Sequence, residues 1–259
     1  MRISKTLAKI HNGELVRTCG LGHYLPFYVR YASHHGYDVL WLDLEHRAMD
    51  AREVQAILAM CHQHDIDCMV RSPTQERTGL YRYLEDGASG FMIPFVSDAA
   101  IARHVVEATK YPPLGNRGLD GAGRDADFGI SMWQEGSTYI EDANSQTFLV
   151  AQIETAEAVG NLDAIAAVEG IDVLFIGPGD LGLRIGAENL DDVTASVAEV
   201  CRRHDKAWGI AGGTLEQLVQ YRKMGAQMLI GAGDYALMNV LEEGRRTLDD
   251  VERAVGDLG

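Results

Sequence analysis

Short apolar segments recur along the sequence, and stretches with helical spacing separate them. Eight such segments occur, at residues 16–20, 38–42, 67–71, 90–94, 148–153, 172–176, 207–211 and 227–231. Apolar strands that alternate with helices form parallel β/α units, and eight units in 259 residues is the number found in a TIM barrel. The sequence therefore predicts an α/β fold, a TIM (β/α)8 barrel, formed by residues 1–259 as a single domain. An open doubly wound sheet remains the alternative.

Several polar residues mark where the intervening helices begin. Asp50, followed three residues later by Glu53, is typical of a capping pair, and Ser97 precedes another helical segment. Thr155 and Thr214 are the expected caps of two later helices. These signals support the alternation of strands and helices.

One segment, residues 111–147, interrupts the alternation with glycines, prolines and acidic residues before the fifth strand. A connection of this length is usually functional or mobile. We therefore expect a long loop on the active-site side of the barrel.

Charge and cysteine content narrow the function classes. Thirty-eight acidic residues against 23 basic ones give a net charge of −15, which disfavours binding to nucleic acid or to an anionic membrane surface. No signal peptide or membrane-spanning segment is expected, because long uncharged apolar runs are absent from the sequence. Cys19, Cys61, Cys68 and Cys201 lack the paired spacing of a zinc site, so we expect free thiols and a cytoplasmic protein.

Catalytic groups of a barrel lie at the carboxyl ends of its strands, where this sequence has several charged residues. Glu154 and Asp180 follow neighbouring predicted strands, so both carboxylates should face the same mouth. Two oxygen ligands with room for water and a chelating substrate suit Mg²⁺ or Mn²⁺. Each carboxylate alone is better explained as a helix cap or an arginine partner, but the pair together with the GPGD turn favours a metal site.

A candidate proton-transfer group follows the second strand. His46 lies three residues after Asp43, so a turn would bring the carboxylate to one ring nitrogen and leave the other to accept a proton. Arg71 ends the third strand and would bind a substrate carboxylate or stabilise an enolate, unless it forms a structural pair with Glu45 or Asp43. No lysine ends a predicted strand, which removes the nucleophile of a Schiff-base aldolase and leaves metal-assisted proton chemistry.

Six segments together resemble the HpcH/HpaI family of class II pyruvate aldolases, across nearly the whole chain. They are WLDLEHRAMD, VRSP, GASGFMIPFV, YPPLGNRG, the stretch from VAQIETAEAV to LFIGPGDL, and GAQMLIGAGD. The QxE and GPxDL motifs, at 152–154 and 177–181, are the most specific elements. The resemblance implies a barrel of the phosphoenolpyruvate/pyruvate-binding type.

The resemblance also implies roles for individual residues. Glu154 and Asp180 would bind a divalent metal, Mg²⁺, Mn²⁺ or Co²⁺. His46, with Asp43 beside it, would be the base, and Arg71 would stabilise the enolate.

Further residues are implied to contact the substrate or a neighbouring subunit. Gln152 would contact the substrate, and the amides around Gly179 and Asp180 would hold the pyruvyl carboxylate at a helix start. Glu85 matches an acidic residue that reaches a neighbouring subunit's site, with Asp86 as the alternative at that position. The implied assembly is a homo-hexamer in which C-terminal helical segments pack on neighbouring subunits.

The implied activity is the reversible aldol cleavage of 4-hydroxy-2-oxo acids to pyruvate and an aldehyde, through a metal-stabilised pyruvate enolate. The sequence leaves two alternative functions open. One is a related barrel lyase or synthase that acts on an acyl-CoA or on oxaloacetate. The other is a non-catalytic barrel that binds oxo acids.

Overall fold

Eight parallel strands form a closed barrel in the computed structural model, which describes residues 2–130 and 132–256. The strands are β1 Val16–Leu21, β2 Val39–Asp43, β3 Asp67–Arg71, β4 Gly90–Ile93, β5 Phe148–Ile153, β6 Val173–Ile176, β7 Ala207–Ala211 and β8 Met228–Gly233. They pair in sequence order, and β1 also pairs with β8, which closes the ring. The predicted α/β barrel is confirmed, and the alternative of an open sheet is excluded by the β1–β8 pairing.

Helices within the described residues alternate with the strands and surround them. They are α1 Lys5–His11, α2 Pro26–His34, α3 Ala51–Gln63, α4 Arg77–Glu85, α5 Ala99–Thr109, α6 Tyr139–Gln146, α7 Ala156–Gly160, α8 Leu162–Ala166, α9 Pro178–Ile185, α10 Leu190–Arg203, α11 Leu215–Lys223 and α12 Leu237–Gly256. The capping pair predicted at Asp50 and Glu53 is confirmed, and the side chains of Thr155 and Thr214 cap α7 and α11.

The start of α5 differs slightly from the prediction. Asp98 caps this helix, because its carboxylate accepts hydrogen bonds from the amides of Ala100 and Ile101. The hydroxyl of Ser97 instead lies 3.1 Å from that of Thr155. The capping signal in the sequence was therefore displaced by one residue.

The strands are apolar on both faces because each face packs against a separate core. The barrel interior contains inward-facing side chains such as Met69, Phe148 and Phe175, and Leu7 of α1 packs beneath them. The larger core lies between the strands and the surrounding helices. This packing fixes the strand ends, which carry the polar residues discussed below.

The amino-terminal end of the barrel is closed around a buried carboxylate. Asp67, the first residue of β3, is 0% exposed. Its oxygens accept hydrogen bonds from the Ser4 hydroxyl and the Thr6 amide, both at 2.8 Å, and it forms an ion pair with Arg2. Every oxygen of this carboxylate thus has a donor.

Segment 111–147 connects the end of α5 to the start of β5, and therefore lies at the amino-terminal end of its own barrel. The side chain of Gln146 accepts a hydrogen bond from the Ser4 amide at that end. Buried Arg117 pairs with Asp125 at 2.6 Å, and Tyr139 donates to the same carboxylate. This location corrects the expectation that the segment lies on the active-site side, since an α-to-β connection returns to the end where strands begin.

The last helix, α12, lies mainly in solvent. Its apolar side chains are exposed, including Met238, Val240, Leu241, Leu248, Val251 and Val255. Its contacts with the rest of the described chain are concentrated at the short 3-10 turn Asp234–Ala236 before it. Within residues 2–130 and 132–256, no helix combines the length and apolar character needed to cross a membrane.

Candidate active site

Glu154 follows β5 and lies at the carboxyl-terminal mouth of the barrel, where only 1% of the residue is exposed. Its carboxylate accepts hydrogen bonds from the Phe95 amide at 2.7 Å and from Nε2 of Gln152 at 2.6 Å. Burial raises the pKa of Glu154 to about 7, and the negative charges of Glu45 and Asp180 add to this effect against the Phe95 hydrogen bond. The site therefore disfavours the ionised form of this carboxylate.

Glu45 and Asp180 provide the neighbouring negative charges. Burial raises the pKa of Glu45, and the charges of Asp43 and Asp180 oppose the lowering effect of Arg71. Asp180 lies in the first turn of α9, and its carboxylate is 2.6 Å from the guanidinium of Arg184. The two predicted metal ligands, Glu154 and Asp180, thus follow adjacent strands and interact electrostatically.

The donors at this mouth fit a hard divalent cation. Oε1 of Gln152 is buried without a hydrogen-bond partner, and Oε2 of Glu45 is buried with only the longer contacts to Arg71 and His46, at 3.3 and 3.7 Å. Three carboxylates share the region. In the part of the chain that the structure describes, no three His, Cys, Asp or Glu side chains form a complete ligand cluster. Two protein carboxylates with remaining positions for water and substrate are nonetheless the arrangement that Mg²⁺ accepts.

Arg71, the last residue of β3, is held by two carboxylates and an aromatic ring. Its Nε and Nη2 lie 3.0 and 2.7 Å from the two oxygens of Asp43, and Nε is 3.3 Å from Glu45. Its guanidinium is 4.7 Å from the centre of the Trp41 ring. Although burial raises the pKa of Asp43, the hydrogen bonds and charge of Arg71 outweigh it, so the pKa is lowered. The structural pairing that the sequence left open is present, and it holds Arg71 at the site.

His46 occupies the rim of the same mouth, with 52% of its side chain exposed. Its ring does not contact Asp43, in contrast to the turn expected from the sequence. Oδ1 of Asp43 instead accepts hydrogen bonds from the backbone amides of Glu45 and His46, at 3.1 and 3.3 Å. Both carboxylate oxygens of Asp43 also bind the guanidinium of Arg71. Nε2 of His46 lies 3.7 Å from Glu45.

Glu45 also lies in this group, although the sequence indicates it only as a possible partner of Arg71. The signal was its position in the DLEH run, one residue before His46. It lies between the histidine, the arginine and the Glu154 carboxylate.

The turn after β6 leaves space for these groups. A side chain at Gly177 would come within 2.8 Å of Gln152 and 3.0 Å of Glu154. Helix α9 then begins at Pro178, which has no amide proton, so the first amide of the helix belongs to Gly179. A side chain added at Gly179 would meet nothing within 4 Å, which leaves this helix start accessible to a ligand.

Glu85 is not brought to these residues within one chain. It ends α4, at the amino-terminal side of the barrel, near Arg117 and Asp125. Burial raises its pKa against the charge of Arg117. Asp86, the alternative residue, accepts a hydrogen bond from Gln55 at 2.9 Å.

A cavity of about 450 Å³ opens beside the site, between the carboxyl ends of β1, β2, β3 and β8. Trp41, Asp43, His46 and Arg71 line one side of it. The mouth of the closed β/α barrel thus combines carboxylates that have few hydrogen-bond donors, an arginine fixed by ion pairs, and a cavity. Such a combination is typical of a barrel enzyme site that carries out acid–base chemistry.

Residues 24–233 match the HpcH/HpaI aldolase/citrate lyase family, and the chain belongs to that family. It is 36% identical over 209 residues to the 2-dehydro-3,6-dideoxy-6-sulfogluconate aldolase of Pseudomonas putida, covering 78% of this chain and 80% of that protein. It is 33% identical over 249 residues to a hydroxypyruvate/pyruvate aldolase of Pseudomonas aeruginosa, covering 93% and 91% of the two chains.

Among solved structures, an HpcH/HpaI aldolase from Desulfitobacterium hafniense superposes with a TM-score of 0.87 at 30% identity, covering 96% of this chain and 97% of that one. The family predicted from the sequence is confirmed. The family and the aldolase names of its members indicate a carbon–carbon lyase.

Proposed function

We propose that this protein catalyses the reversible aldol cleavage of 4-hydroxy-2-oxo acids to pyruvate and an aldehyde, in a barrel of the phosphoenolpyruvate/pyruvate-binding type. The observation that carries the proposal is the buried, poorly compensated carboxylate of Glu154, which faces Glu45 and Asp180. Relatives named for pyruvate aldolase activity support the same reaction.

Glu154 and Asp180 would hold a divalent cation, Mg²⁺, Mn²⁺ or Co²⁺. When bound, such an ion supplies Lewis-acid polarisation of the keto group. The first amides of α9, at Gly179 and Asp180, would receive the carboxylate of the oxo acid, because a helix start favours an anion. Gln152 donates a hydrogen bond to Glu154, and its Oε1, which has no partner, would contact the substrate.

Arg71 would stabilise the negative charge that develops on the enolate oxygen. Its planar guanidinium is already oriented by Asp43 and by the Trp41 ring, so little reorganisation is required when charge develops. His46 at the rim would accept the proton of the C4 hydroxyl, directly or through a water. Glu45 positions both the histidine and the arginine.

The test is pyruvate release from a 4-hydroxy-2-oxo acid, measured after EDTA treatment and after addition of Mg²⁺, Mn²⁺ or Co²⁺. We expect activity to be lost with EDTA and restored by at least one ion. Pyruvate formation that survives complete metal removal would contradict the metal-dependent reaction, and absence of pyruvate with every ion would contradict the aldolase assignment.

We also propose a homo-hexamer in which α12 of each single-domain barrel packs on a neighbour. The exposed apolar face of α12 supports this arrangement, because isolated soluble chains rarely leave such a face in water. Glu85 would then complete a neighbour's site. Segment 111–147 lies beside Glu85 and would approach that neighbouring site rather than its own.

Subunit complementation tests the shared site. Glu154→Gln and Glu85→Gln proteins are each expected to be inactive, whereas random mixed assemblies regain activity at about a quarter of their sites. If the subunits are shown to exchange and the mixture is still as inactive as its components, Glu85 does not complete the site of a neighbouring subunit.

A further inference from the structure

The cavity beside the site has two differently charged walls. On the wall near the predicted metal ligands, Arg71 is bound by Asp43 and Glu45. The opposite wall consists of the ends of β1 and β8, and glycines provide much of its surface. They are Gly20, Gly22, Gly231 and Gly233, with Gly212 of the β7 end nearby. These glycines leave room for a substrate tail.

Arg47 lies on this second wall and has no acidic partner among the residues that the structure describes. Its Nη1 donates to the His46 carbonyl at 2.8 Å, and its guanidinium is 5.4 Å from the centre of the Tyr235 ring. A side chain at Gly22 would meet Cγ of Arg47 at 3.0 Å, so the arginine occupies space that glycine leaves free. Arg47 is thus held in place without being neutralised.

The other charged groups of the cavity wall already have partners. Asp43 is bound by Arg71. Asp234, which is buried, accepts hydrogen bonds from the Gly22 amide at 3.0 Å and from Nδ1 of His23 at 2.7 Å. In a chain of net charge −15, an unneutralised guanidinium in the wall of a cavity is a specific anion-binding feature.

We infer that Arg47 selects aldehydes that carry a terminal oxyanion, such as a carboxylate or a sulfonate. This inference rests on the proposed function, because the oxo-acid half of the substrate must lie at Arg71, Glu154 and Asp180. The aldehyde half then extends along the glycine-lined wall toward Arg47. A cavity of about 450 Å³ is of the size that encloses a small ligand of this kind.

The test compares succinic semialdehyde with butyraldehyde as acceptors for pyruvate, since both have four carbons and only the first carries a carboxylate. We expect kcat/KM to favour succinic semialdehyde by roughly 10- to 100-fold, the range for a hydrogen bond to a charged group. Arg47→Met should remove that preference, measured as the ratio of the two kcat/KM values. Arg47→Lys, which keeps the charge but not the planar fork, should retain part of it. A 3-sulfopropanal and propanal pair extends the comparison to sulfonates.

Arg103→Met is the matched control, because Arg103 is an exposed arginine on α5, away from the cavity. It should keep the wild-type ratio. Equal kcat/KM values for both aldehydes in the wild type, or an unchanged ratio in Arg47→Met, would overturn the inference. Exchange of the pyruvate C3 protons, measured without aldehyde, separates this failure from that of the proposed function. If wild-type exchange and aldol addition are both absent, the proposed function itself has failed.

Discussion

Asp67 and Glu154 are equally buried carboxylates at opposite ends of the same barrel, but their surroundings differ. Asp67 receives a hydroxyl, an amide and the guanidinium of Arg2. Glu154 receives one amide and one side-chain N–H, and faces the negative charges of Glu45 and Asp180. The buried charge of Asp67 is compensated, and that of Glu154 is left largely uncompensated.

The different surroundings of Asp67 and Glu154 indicate different roles: Asp67 stabilises the fold, and Glu154 belongs to the candidate site. A buried carboxylate with a full set of donors fixes the chain around it, whereas one beside other carboxylates lowers stability until a cation arrives. Glu154 is of the second kind and lies at the mouth, where a substrate can enter. Charge compensation therefore distinguishes Glu154 from Asp67, which burial alone does not.

Of the substitutions considered, Glu154→Gln should have the largest effect on the rate of aldol cleavage. We expect aldol cleavage to fall by at least about 1000-fold, because a charged metal ligand is lost, while the melting temperature of the metal-free protein holds or rises. Steady-state kinetics with calorimetry measures both. Retained turnover, with metal shown to be absent, would remove Glu154 from the catalytic site.

Asp67→Ala should lower the stability of the protein without changing substrate binding, the reverse of the effect of Glu154→Gln. Loss of this carboxylate leaves the Ser4 hydroxyl and the Thr6 amide without their acceptor and removes one of the two ion pairs of Arg2, so the free energy of unfolding should fall by about 3 kcal/mol. The KM for the oxo acid should stay unchanged in the folded fraction. Urea unfolding measures the loss, and wild-type stability would mean that the amino-terminal cluster is not the stabilising element.

His46→Ala tests the rim of the uncompensated cluster. We expect cleavage to slow by roughly 100-fold, the effect of losing a positioned proton-transfer group, while pyruvate still binds. Pyruvate binding is measured separately by calorimetry. If its affinity falls in parallel with the rate, His46 positions the substrate and the base is another group.

Arg71→Lys tests the ion pair between Arg71 and Asp43 at the mouth. Lysine keeps the charge but lacks the planar fork whose two nitrogens bind the two oxygens of Asp43, so we expect kcat to fall by roughly 10- to 100-fold, more than KM changes. Pyruvate C3 proton exchange should fall in parallel, because it passes through the same enolate. A loss of cleavage with normal exchange would assign Arg71 to the aldehyde half.

The smallest expected effect is a pH dependence of stability in the metal-free protein. Because the pKa of Glu154 is raised from 4.5 to about 7, the folded state holds a proton that the unfolded state has released. The free energy of unfolding should therefore decrease as pH rises from about 4.5 to 7. Glu154→Gln should flatten this decrease, and a divalent cation should oppose it. Identical pH profiles for both proteins would exclude Glu154 as the source.

Much of the fold and part of the site follow from the sequence. The strand positions follow from local apolar runs, and the placement of Glu154 and Asp180 follows from a spacing of one β/α unit. The pairing of Asp43 with Arg71 depends on register, since these residues are partners across β2 and β3, and periodicity does not fix register. The proposed contacts of Glu85 and α12 lie between subunits, and periodicity along one chain carries no information about such contacts.

The pairing of β1 with β8 has a consequence for how the chain is made. A ring of strands is complete only when its last member has been synthesised, so β1 keeps an unpaired edge until residues 228–233 are available. Any product of premature termination before Met228 retains two open sheet edges, which are templates for aggregation. A chain that stops just after Ala236 can still close the ring. The barrel can therefore close only after β8 has been synthesised, later than the seven strands before it.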